Sequence, residues 1–310
     1  MKILICEVMD APSVASLSAQ FDTQYDANLV DRRDELLARV ADADALIVRN
    51  RTQVNADILA AAPKLVVVGR LGVGLDNIDL PACNARKVEV IPATGANALA
   101  VAEYVIATAM LLLRGAYAST VDVAAGNWPR MALSNGREVG GKTLGIVGFG
   151  SIGRLTATLA QAMGMRVIAT DPMLNAASPI WKQTGVICRT FNQLLAESDA
   201  ITLHVPLIPE TRNLIGAAQF AMLQAHAVLI NSARGGIVDE AALVQALKEK
   251  KLGGAALDVF EDEPLPAGSA LVDCPNLLLT PHIAGVSAEA NARVGSMVAE
   301  RVASFLNSRA

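Results

Sequence analysis

An arginine, a carboxylate and a histidine each follow an apolar run in the second half of the sequence. Arg234 lies in LINSARGG, Glu263 in ALDVFEDEP and His282 in LTPHIAG. A guanidinium can bind a carboxylate bidentately, and an imidazole can exchange a proton while hydride passes to or from a nicotinamide. A carboxylate beside the imidazole holds its tautomer. The three together suit interconversion of a 2-keto acid and a 2-hydroxy acid, although each alone is an ordinary surface residue or an ordinary neighbour of proline.

A glycine pattern in the middle of the chain predicts a dinucleotide site. An apolar run leads into Gly148, Gly150 and Gly153, spaced as G-x-G-x-x-G, and a helical stretch follows. These glycines permit a tight turn, close approach of a pyrophosphate to the helix N-terminus, and close packing of helix on strand. A second strand ends at Asp171, 18 positions after Gly153, where a carboxylate would bind both ribose hydroxyls and repel a 2′-phosphate. The pattern favours NAD over NADP, and the alternative is an ordinary strand–helix turn followed by a loop acid.

Strand-like and helix-like runs alternate along the chain, which predicts an α/β fold with parallel sheets. The predicted strands are 2–6, 45–49, 65–69 and 88–91, and then 143–147, 166–170, 200–203, 227–231, 255–258 and 277–280. The two series indicate two domains, with the apolar helix at 98–113 as one connection between them. An amphipathic helix at 287–307 must dock on a domain, and its periodicity leaves open which one.

The composition argues against several classes of function. A formal charge of −4 argues against a nucleic-acid partner. The first residues are too soon charged for a signal peptide, and the longest apolar run contains Glu103, so no membrane partner is expected. The four cysteines lie far apart, which indicates reduced thiols in a cytoplasmic protein. The histidines and cysteines lack metal-ligand spacing, and no metal is expected.

Four segments resemble, in order and spacing, the signatures of the D-isomer-specific 2-hydroxyacid dehydrogenases, and the phosphoglycerate dehydrogenase branch is the nearest. They are GFGSIG at 148–153, NSARGG at 231–236, DVFEDEP at 258–264 and TPHIAG at 280–285. Segments 69–79 and 95–103 extend the resemblance over essentially the whole chain. It implies a Rossmann-type doubly wound parallel sheet and a flavodoxin-like substrate domain. The substrate domain would be discontinuous, 1–96 plus 284–310, and the NAD-binding domain would be 97–283.

The resemblance also implies a role for each matching residue. His282 would be the general acid/base, Glu263 its carboxylate partner and Arg234 the group that binds the substrate. Backbone N–H groups for the substrate carboxylate would come from Gly72, Val73 and Gly74. The residues expected on the NAD cofactor are Gly148, Gly150, Ser151, Ile152, Gly153, Asp171, Val205, Pro206, Ala233 and Asp258, with Asp258 near the carboxamide.

Assembly and related activities are implied in the same way. A homodimer would form through residues near 97–135. Formate dehydrogenases of the family carry Gln where this chain has Glu263, which argues against that activity. Feedback-regulated phosphoglycerate dehydrogenases carry a further C-terminal regulatory domain, and because this sequence stops at Ala310 we expect neither that domain nor serine feedback.

Two arginines in the first half bear on the identity of the substrate. Arg49 and Arg51 follow an apolar strand, in a loop that borders the substrate pocket in the resembling family. Two guanidiniums there could bind a second anion, such as phosphate, sulfonate or carboxylate. Alternatively, both are solvated or paired with an acid such as Asp57. The candidate substrates are 3-phosphoglycerate, sulfolactate, and glycerate- or lactate-type acids.

A second class of function stays open at this level. Some proteins that resemble the family act as NAD-sensing corepressors, in which the dinucleotide controls the binding of a partner. The sequence has no basic stretch and no long disordered tail for recruitment, which favours the enzyme. An inactive scaffold is disfavoured by the complete Arg–Glu–His set.

Overall fold

A computed structural model describes residues 1–115 and 119–309. The strands are β1 (Lys2–Ile5), β2 (Asp22–Tyr25), β3 (Ala45–Val48), β4 (Val67–Arg70), β5 (Glu89–Pro92), β6 (Thr143–Val147), β7 (Arg166–Thr170), β8 (Ile187–Cys188), β9 (Ala200–Leu203), β10 (Val228–Asn231), β11 (Gly254–Leu257) and β12 (Leu277–Leu279). The α-helices are α1 (Ala11–Ser18), α2 (Arg33–Val40), α3 (Ala56–Ala61), α4 (Leu80–Ala85), α5 (Ala98–Arg114), α6 (Thr120–Ala124), α7 (Ser151–Ala162), α8 (Pro179–Thr184), α9 (Phe191–Glu197), α10 (Ala217–Phe220), α11 (Glu240–Lys248) and α12 (Ala288–Asn307). Contacts divide the chain into two units, Met1–Asn97 with the segment that begins at Val286, and Ala98–Gly285.

The first unit is built on a five-stranded parallel sheet in the order β2-β1-β3-β4-β5. This is the flavodoxin-type order, and it confirms the fold predicted for the first half of the chain. The sheet needs helices on both faces because the central strands β1, β3 and β4 are apolar and buried on both sides.

The C-terminal helix α12 belongs to this unit. Its Val298 and Val302 approach β4 at Gly69, where an added Cβ would lie 2.8 Å from the Val298 side chain. The absence of a side chain at Gly69 therefore lets the helix pack closely on the strand. Ser287 caps the helix by accepting from the Ala290 N–H, and Ala290 is the first buried residue of the helix.

The second unit is a seven-stranded parallel sheet in the order β12-β11-β10-β9-β6-β7-β8. Strand β6 pairs with β7 on one side and with β9 on the other, so the strand order reverses there. In doubly wound sheets the crevice outside the carboxyl ends of the strands, at this reversal, is where a dinucleotide binds. The observed order confirms the predicted Rossmann-type sheet.

The sequence patterns missed two edge strands. Strand β2 reads DTQY and is half exposed, so it lacks the apolar run by which the other strands were found. Strand β8 has two residues, which is too short for any periodicity. Both gain their strand conformation by pairing with a longer neighbour, β1 or β7. Within the described ranges, none of the helices combines the length and the apolar character needed to cross a membrane.

Candidate active site

The second unit brings His282 and Glu263 into direct contact. Nδ1 of His282 lies 2.7 Å from Oε2 of Glu263, and Oε1 of Glu263 accepts the N–H of Phe260 at 3.1 Å. A hydrogen bond to a carboxylate oxygen requires the proton on Nδ1, so Nε2 of the neutral ring is the proton acceptor. The His282 side chain is 39% exposed, and its Nε2 has no hydrogen-bond partner in the part of the chain that the structure describes. The arrangement presents a proton-accepting nitrogen to an incoming molecule.

The other two histidines have different surroundings. Burial lowers the pKa of His204 to about 4, so its ring is neutral near pH 7. His226 contacts the carboxylate of Asp199 at 3.0 Å, at the opposite end of strand β10. Of the three, His282 is the histidine that contacts Glu263 at the carboxyl edge of the sheet.

The backbone of His282 has a left-handed conformation, with φ of 57°. Such a conformation costs a residue with a side chain about 1–3 kcal/mol and must be held by its surroundings. Asp258, at the end of β11, holds it: its carbonyl accepts the His282 N–H at 2.8 Å. Its buried carboxylate accepts the N–H groups of Ile283 at 2.8 Å and Ala284 at 2.7 Å. The resemblance implied that Asp258 lies near the cofactor carboxamide; in the structure its carboxylate oxygens accept hydrogen bonds from the loop that contains His282.

A residue that sequence reasoning missed completes this arrangement. The hydroxyl of Thr280 donates to Asp258 at 2.6 Å, and so its oxygen accepts from the O–H of Tyr104, 2.7 Å away. Burial raises the pKa of the Tyr104 phenol, which keeps the hydroxyl protonated as a donor. Tyr104 lies on α5, so this chain of bonds ties the His282 loop to a long helix. The sequence signal that could have pointed to Tyr104 is its hydroxyl, which is a polar group within the otherwise apolar run 98–113.

Arg234 is positioned by the strand that precedes it. The buried side chain of Asn231, at the end of β10, donates to the Arg234 carbonyl at 2.9 Å and accepts the Ala233 N–H at 3.1 Å. At the next residue, Gly235, an added Cβ would overlap the carbonyl of Phe260. The Arg234 loop therefore touches the loop that leads to Glu263, and the glycine is what allows it.

The glycines after β6 form a cradle that fits a pyrophosphate. Gly148 has φ of 93°, and a Cβ there would lie 2.5 Å from the His204 carbonyl. A Cβ on Gly153 would overlap the Gly148 carbonyl, whereas one on Gly150 would meet no heavy atom within 4 Å. Helix α7 starts after Gly150 with no side chain bonded to its first N–H groups. The turn is therefore tightly packed at Gly148 and Gly153, whereas the space beside Gly150 would allow an anion to approach the helix N-terminus.

Asp171 lies beside this cradle. Its Oδ2 accepts the N–H of Phe149 and its Oδ1 the N–H of Met173, each at 2.8 Å. A carboxylate oxygen has a second lone pair, so both oxygens can still accept a hydroxyl. Val205, Pro206 and Ala233 follow β9 and β10 at the same edge of the sheet.

In the first unit a buried carboxylate shapes the loop of Arg49 and Arg51. Glu7, only 3% exposed, accepts the N–H groups of Arg49 at 2.8 Å, Thr52 at 3.0 Å and Arg51 at 3.2 Å. The buried Asn77 amide donates to the Thr52 carbonyl at 2.7 Å and to that of Arg49 at 3.3 Å. Sequence reasoning missed Glu7 and Asn77, because a single polar residue after a strand has no periodicity.

The two arginines of this loop have different partners. Arg51 forms an exposed ion pair with Asp31, while Asp57, the acid suggested by the sequence, contacts Arg33 instead. Arg49 donates from Nη2 to the amide oxygen of Asn291 at 2.8 Å. One arginine thus has an acidic partner and the other a neutral one.

The segment after β4 begins with a glycine in an unusual backbone conformation. Gly72 has φ of 152°. This φ lies in the range that favours glycine, and a Cβ there would lie against the flexible guanidinium of Arg70. Val73 and Gly74 follow in partly exposed positions, and within the described ranges their N–H groups have no hydrogen-bond acceptor. Among those residues no group of three or more His, Cys, Asp or Glu side chains could hold a metal.

Comparison with known proteins identifies the family. Residues 106–284 match the model described as "D-isomer specific 2-hydroxyacid dehydrogenase, NAD binding domain". The chain belongs to this family. It is an NAD-dependent dehydrogenase of small 2-hydroxy acids, as the sequence motifs predicted, and the corepressor alternative is not favoured.

Several relatives define the range of the family around this dehydrogenase. An (S)-sulfolactate dehydrogenase from Chromohalobacter salexigens is 50% identical, with 99% of each chain covered. A D-3-phosphoglycerate dehydrogenase from Methanocaldococcus jannaschii is 38% identical over 98% of this chain, which spans only 57% of that relative's length. A D-lactate dehydrogenase from Aquifex aeolicus, solved with NAD and lactic acid, has a TM-score of 0.85 and 27% identity, with 99% and 96% of the two chains covered.

We predict that Gly235→Ala destabilises the dehydrogenase by roughly 1–3 kcal/mol, since the added Cβ would force the Arg234 and Glu263 loops apart. Urea unfolding measures the change. Gly140→Ala is the matched control, because a Cβ there would meet only the Met163 carbonyl at 4.0 Å. Equal stabilities of the two variants would show that the loop contact is not tight.

Proposed function

We propose that His282, Glu263 and Arg234 carry out the reaction of this dehydrogenase. The observation that supports this proposal best is the 2.7 Å contact between Nδ1 of His282 and Glu263, which fixes the tautomer and leaves Nε2 as the base. Arg234 would bind the substrate carboxylate and polarise the C2 oxygen. The experiment that tests the proposal is the kinetic comparison of variants of the three residues.

The chemistry follows from these positions. In the oxidative direction Nε2 of His282 removes the hydroxyl proton at C2, and the C2–O bond becomes a carbonyl. Bound NAD⁺ would take up the hydride that leaves C2. Glu263 stabilises the resulting imidazolium, because its carboxylate remains hydrogen-bonded to Nδ1. In reduction His282 returns the proton to the carbonyl oxygen.

The second unit is proposed as the NAD-binding domain. The N–H groups of Ser151 and Ile152, in the first turn of α7, would hold the pyrophosphate. Asp171 would bind the adenosine ribose, and Val205, Pro206 and Ala233 would line the rest of the cofactor. We assign Asp258 chiefly to positioning the His282 loop, since its carboxylate already accepts two backbone N–H groups and a hydroxyl.

The first unit is proposed as the substrate domain. Val73 and Gly74 would donate N–H groups to the substrate carboxylate, whereas the N–H of Gly72, which the sequence grouped with them, already donates to the Arg70 carbonyl at 2.8 Å. We propose sulfolactate as a substrate, because the sulfolactate dehydrogenase relative is 50% identical whereas the phosphoglycerate dehydrogenase relative is 38% identical. Comparing kcat/KM on sulfolactate, 3-phosphoglycerate, glycerate and lactate tests this choice, and a preference for lactate would overturn it.

We also propose a homodimer through residues near 97–135, of which 116–118 lie outside the described residues. Val121, Trp128 and Met131 on this segment are 80%, 77% and 83% exposed. Covering such side chains is favourable by roughly 25 cal/mol per Å² of apolar surface, and a second copy would offer a matching patch. Light scattering should give twice the chain mass, and Trp128→Asp with Met131→Asp should give a monomer. A monomeric parent protein would refute the interface.

A cytoplasmic location is proposed on the state of the cysteines. Cys6 and Cys83 are buried free thiols, and all four cysteines are unbridged. Unbridged thiols and an NAD-dependent reaction suit a reducing compartment. Fractionation of the source cells tests the location.

We predict that His282→Ala lowers kcat by about 10²–10⁴-fold, the usual contribution of a positioned acid/base, with little effect on NAD binding. Glu263→Gln should move the pH–rate profile to lower pH, because the imidazolium loses its anionic neighbour. His226→Ala is the matched control and should keep kcat within about twofold. Normal turnover by His282→Ala would show that the proton-transfer group is elsewhere.

For the cofactor, we predict a strong preference for NAD over NADP, since the Asp171 carboxylate would face the 2′-phosphate. Asp171→Ala should reduce the preference by about 10–150-fold in kcat/KM, the range for loss of charge-assisted contacts. Steady-state kinetics with both cofactors measure the ratio. An unchanged ratio in the variant would mean that another group reads the ribose.

A further inference from the structure

A cavity of about 120 Å³ lies within the first unit. Its wall combines apolar side chains, among them Met9 and Leu71, with the polar side chains of Arg49 and Asn291. Leu71 directly precedes Gly72, so the cavity adjoins the segment proposed to hold the substrate carboxylate. The carboxyl ends of β1, β3 and β4 and the first turns of α12 surround it, all within one folded unit. Its position therefore suits the far end of a short substrate.

The Arg49 guanidinium at this cavity has a neutral partner. Nη2 bonds the Asn291 amide oxygen at 2.8 Å, and among the described residues no carboxylate lies within ion-pair distance of Arg49. Its neighbours in the same unit differ, since Arg51 pairs with Asp31 and Arg32 with Asp26. A guanidinium–amide pair has a net charge of +1, whereas a guanidinium–carboxylate pair has a net charge near zero.

The bond to Arg49 also fixes which way the Asn291 amide faces. A guanidinium has only donors, so the amide must turn its oxygen toward Arg49 and its NH₂ group away. Asn291 lines the cavity, and its NH₂ group has two donors that are not used in the bond to Arg49. One positive charge with several N–H donors suits a tetrahedral oxyanion, which has three terminal oxygens to accept them.

Two carboxylates close to the cavity limit where an anion could lie. Glu7 accepts three backbone N–H groups, which offset its charge. Asp10 lines the cavity; its Oδ2 caps α1 through Ser13, and its Oδ1 is buried against Gly295 without a hydrogen-bond partner within the described chain. Repulsion from Asp10 would keep an anion on the side of Arg49 and Asn291.

We propose that Asn291, through its bond to Arg49, determines the substrate class of this dehydrogenase. The pair would bind the second, terminal oxyanion of a short 2-hydroxy acid, a sulfonate or a phosphate, while the first carboxylate is held elsewhere. This inference rests on the proposed function and adds a residue that neither motif nor periodicity pointed to. The alternative is that the bond is only a structural tie between the β3 loop and α12.

Asn291→Asp tests the proposal because it changes charge at nearly constant shape. The new carboxylate would pair with Arg49 and repel an incoming anion, whereas a purely structural tie would survive as an ion pair. The ratio of kcat/KM on sulfolactate to kcat/KM on lactate should fall about 10–150-fold. Asn307→Asp, which adds the same charge at an exposed position of the same helix, should leave the ratio unchanged. An unchanged ratio in Asn291→Asp, or equal losses on both substrates, would overturn the proposal.

A binding experiment separates this inference from the proposed function. Calorimetry with 3-sulfopropanoate and with propanoate, which lack the reacting hydroxyl, reports the second anion without turnover. The parent enzyme should bind 3-sulfopropanoate more tightly, and Asn291→Asp should lose that difference. Equal affinities in the parent enzyme would refute the subsite even if the enzyme oxidises 2-hydroxy acids. Absence of turnover on every acid, with the binding difference intact, would refute only the proposed reaction. Including 3-phosphoglycerate in the kinetic panel shows whether phosphate is accepted as well as sulfonate.

Discussion

Each unit depends on one buried carboxylate that holds a functional loop by its backbone. Asp258 accepts the N–H groups of Ile283 and Ala284, and Glu7 accepts three N–H groups from the loop of Arg49. A hydrogen bond to a charged group contributes about 1.5–3 kcal/mol, so such a set can offset both the burial of the carboxylate and an unfavourable backbone conformation. Because these hydrogen bonds are made to backbone N–H groups, they fix the backbone of each loop and leave its side chains available for other contacts.

The left-handed conformation of His282 shows why this constraint matters. A strand that simply continued would carry the ring along the sheet, whereas the turn at His282 directs it to Glu263. Hydrogen bonds to Asp258, and the bonded pair Thr280 and Tyr104, hold this turn, and they offset the cost of the left-handed conformation. The contact between His282 and Glu263 therefore depends on several residues along the edge of the sheet.

The same principle distinguishes the arginines of the first unit. Glu7 fixes the backbone of both Arg49 and Arg51, yet their side chains meet different partners, an amide in one case and a carboxylate in the other. An exposed ion pair contributes little to stability and largely cancels the charge offered to a ligand. Arg49 and Arg51 lie on the same loop, but Arg51 is paired with a carboxylate and Arg49 with an amide, so the charge of Arg49 is the more available to an anion.

The sequence by itself determined the two parallel sheets, the glycine-rich turn after β6 and the family, because strand–helix alternation and the spacing of Gly148, Gly150 and Gly153 are local patterns. It also pointed to His282 and Glu263, whose contact the structure shows. Only the tertiary structure revealed Asp258 as the support of the His282 loop. It alone brought Asn291 to Arg49, 242 positions away along the chain, by docking α12 on the first sheet. Neither could be read from the chain, because a hydrogen bond between distant segments leaves no periodicity in either one.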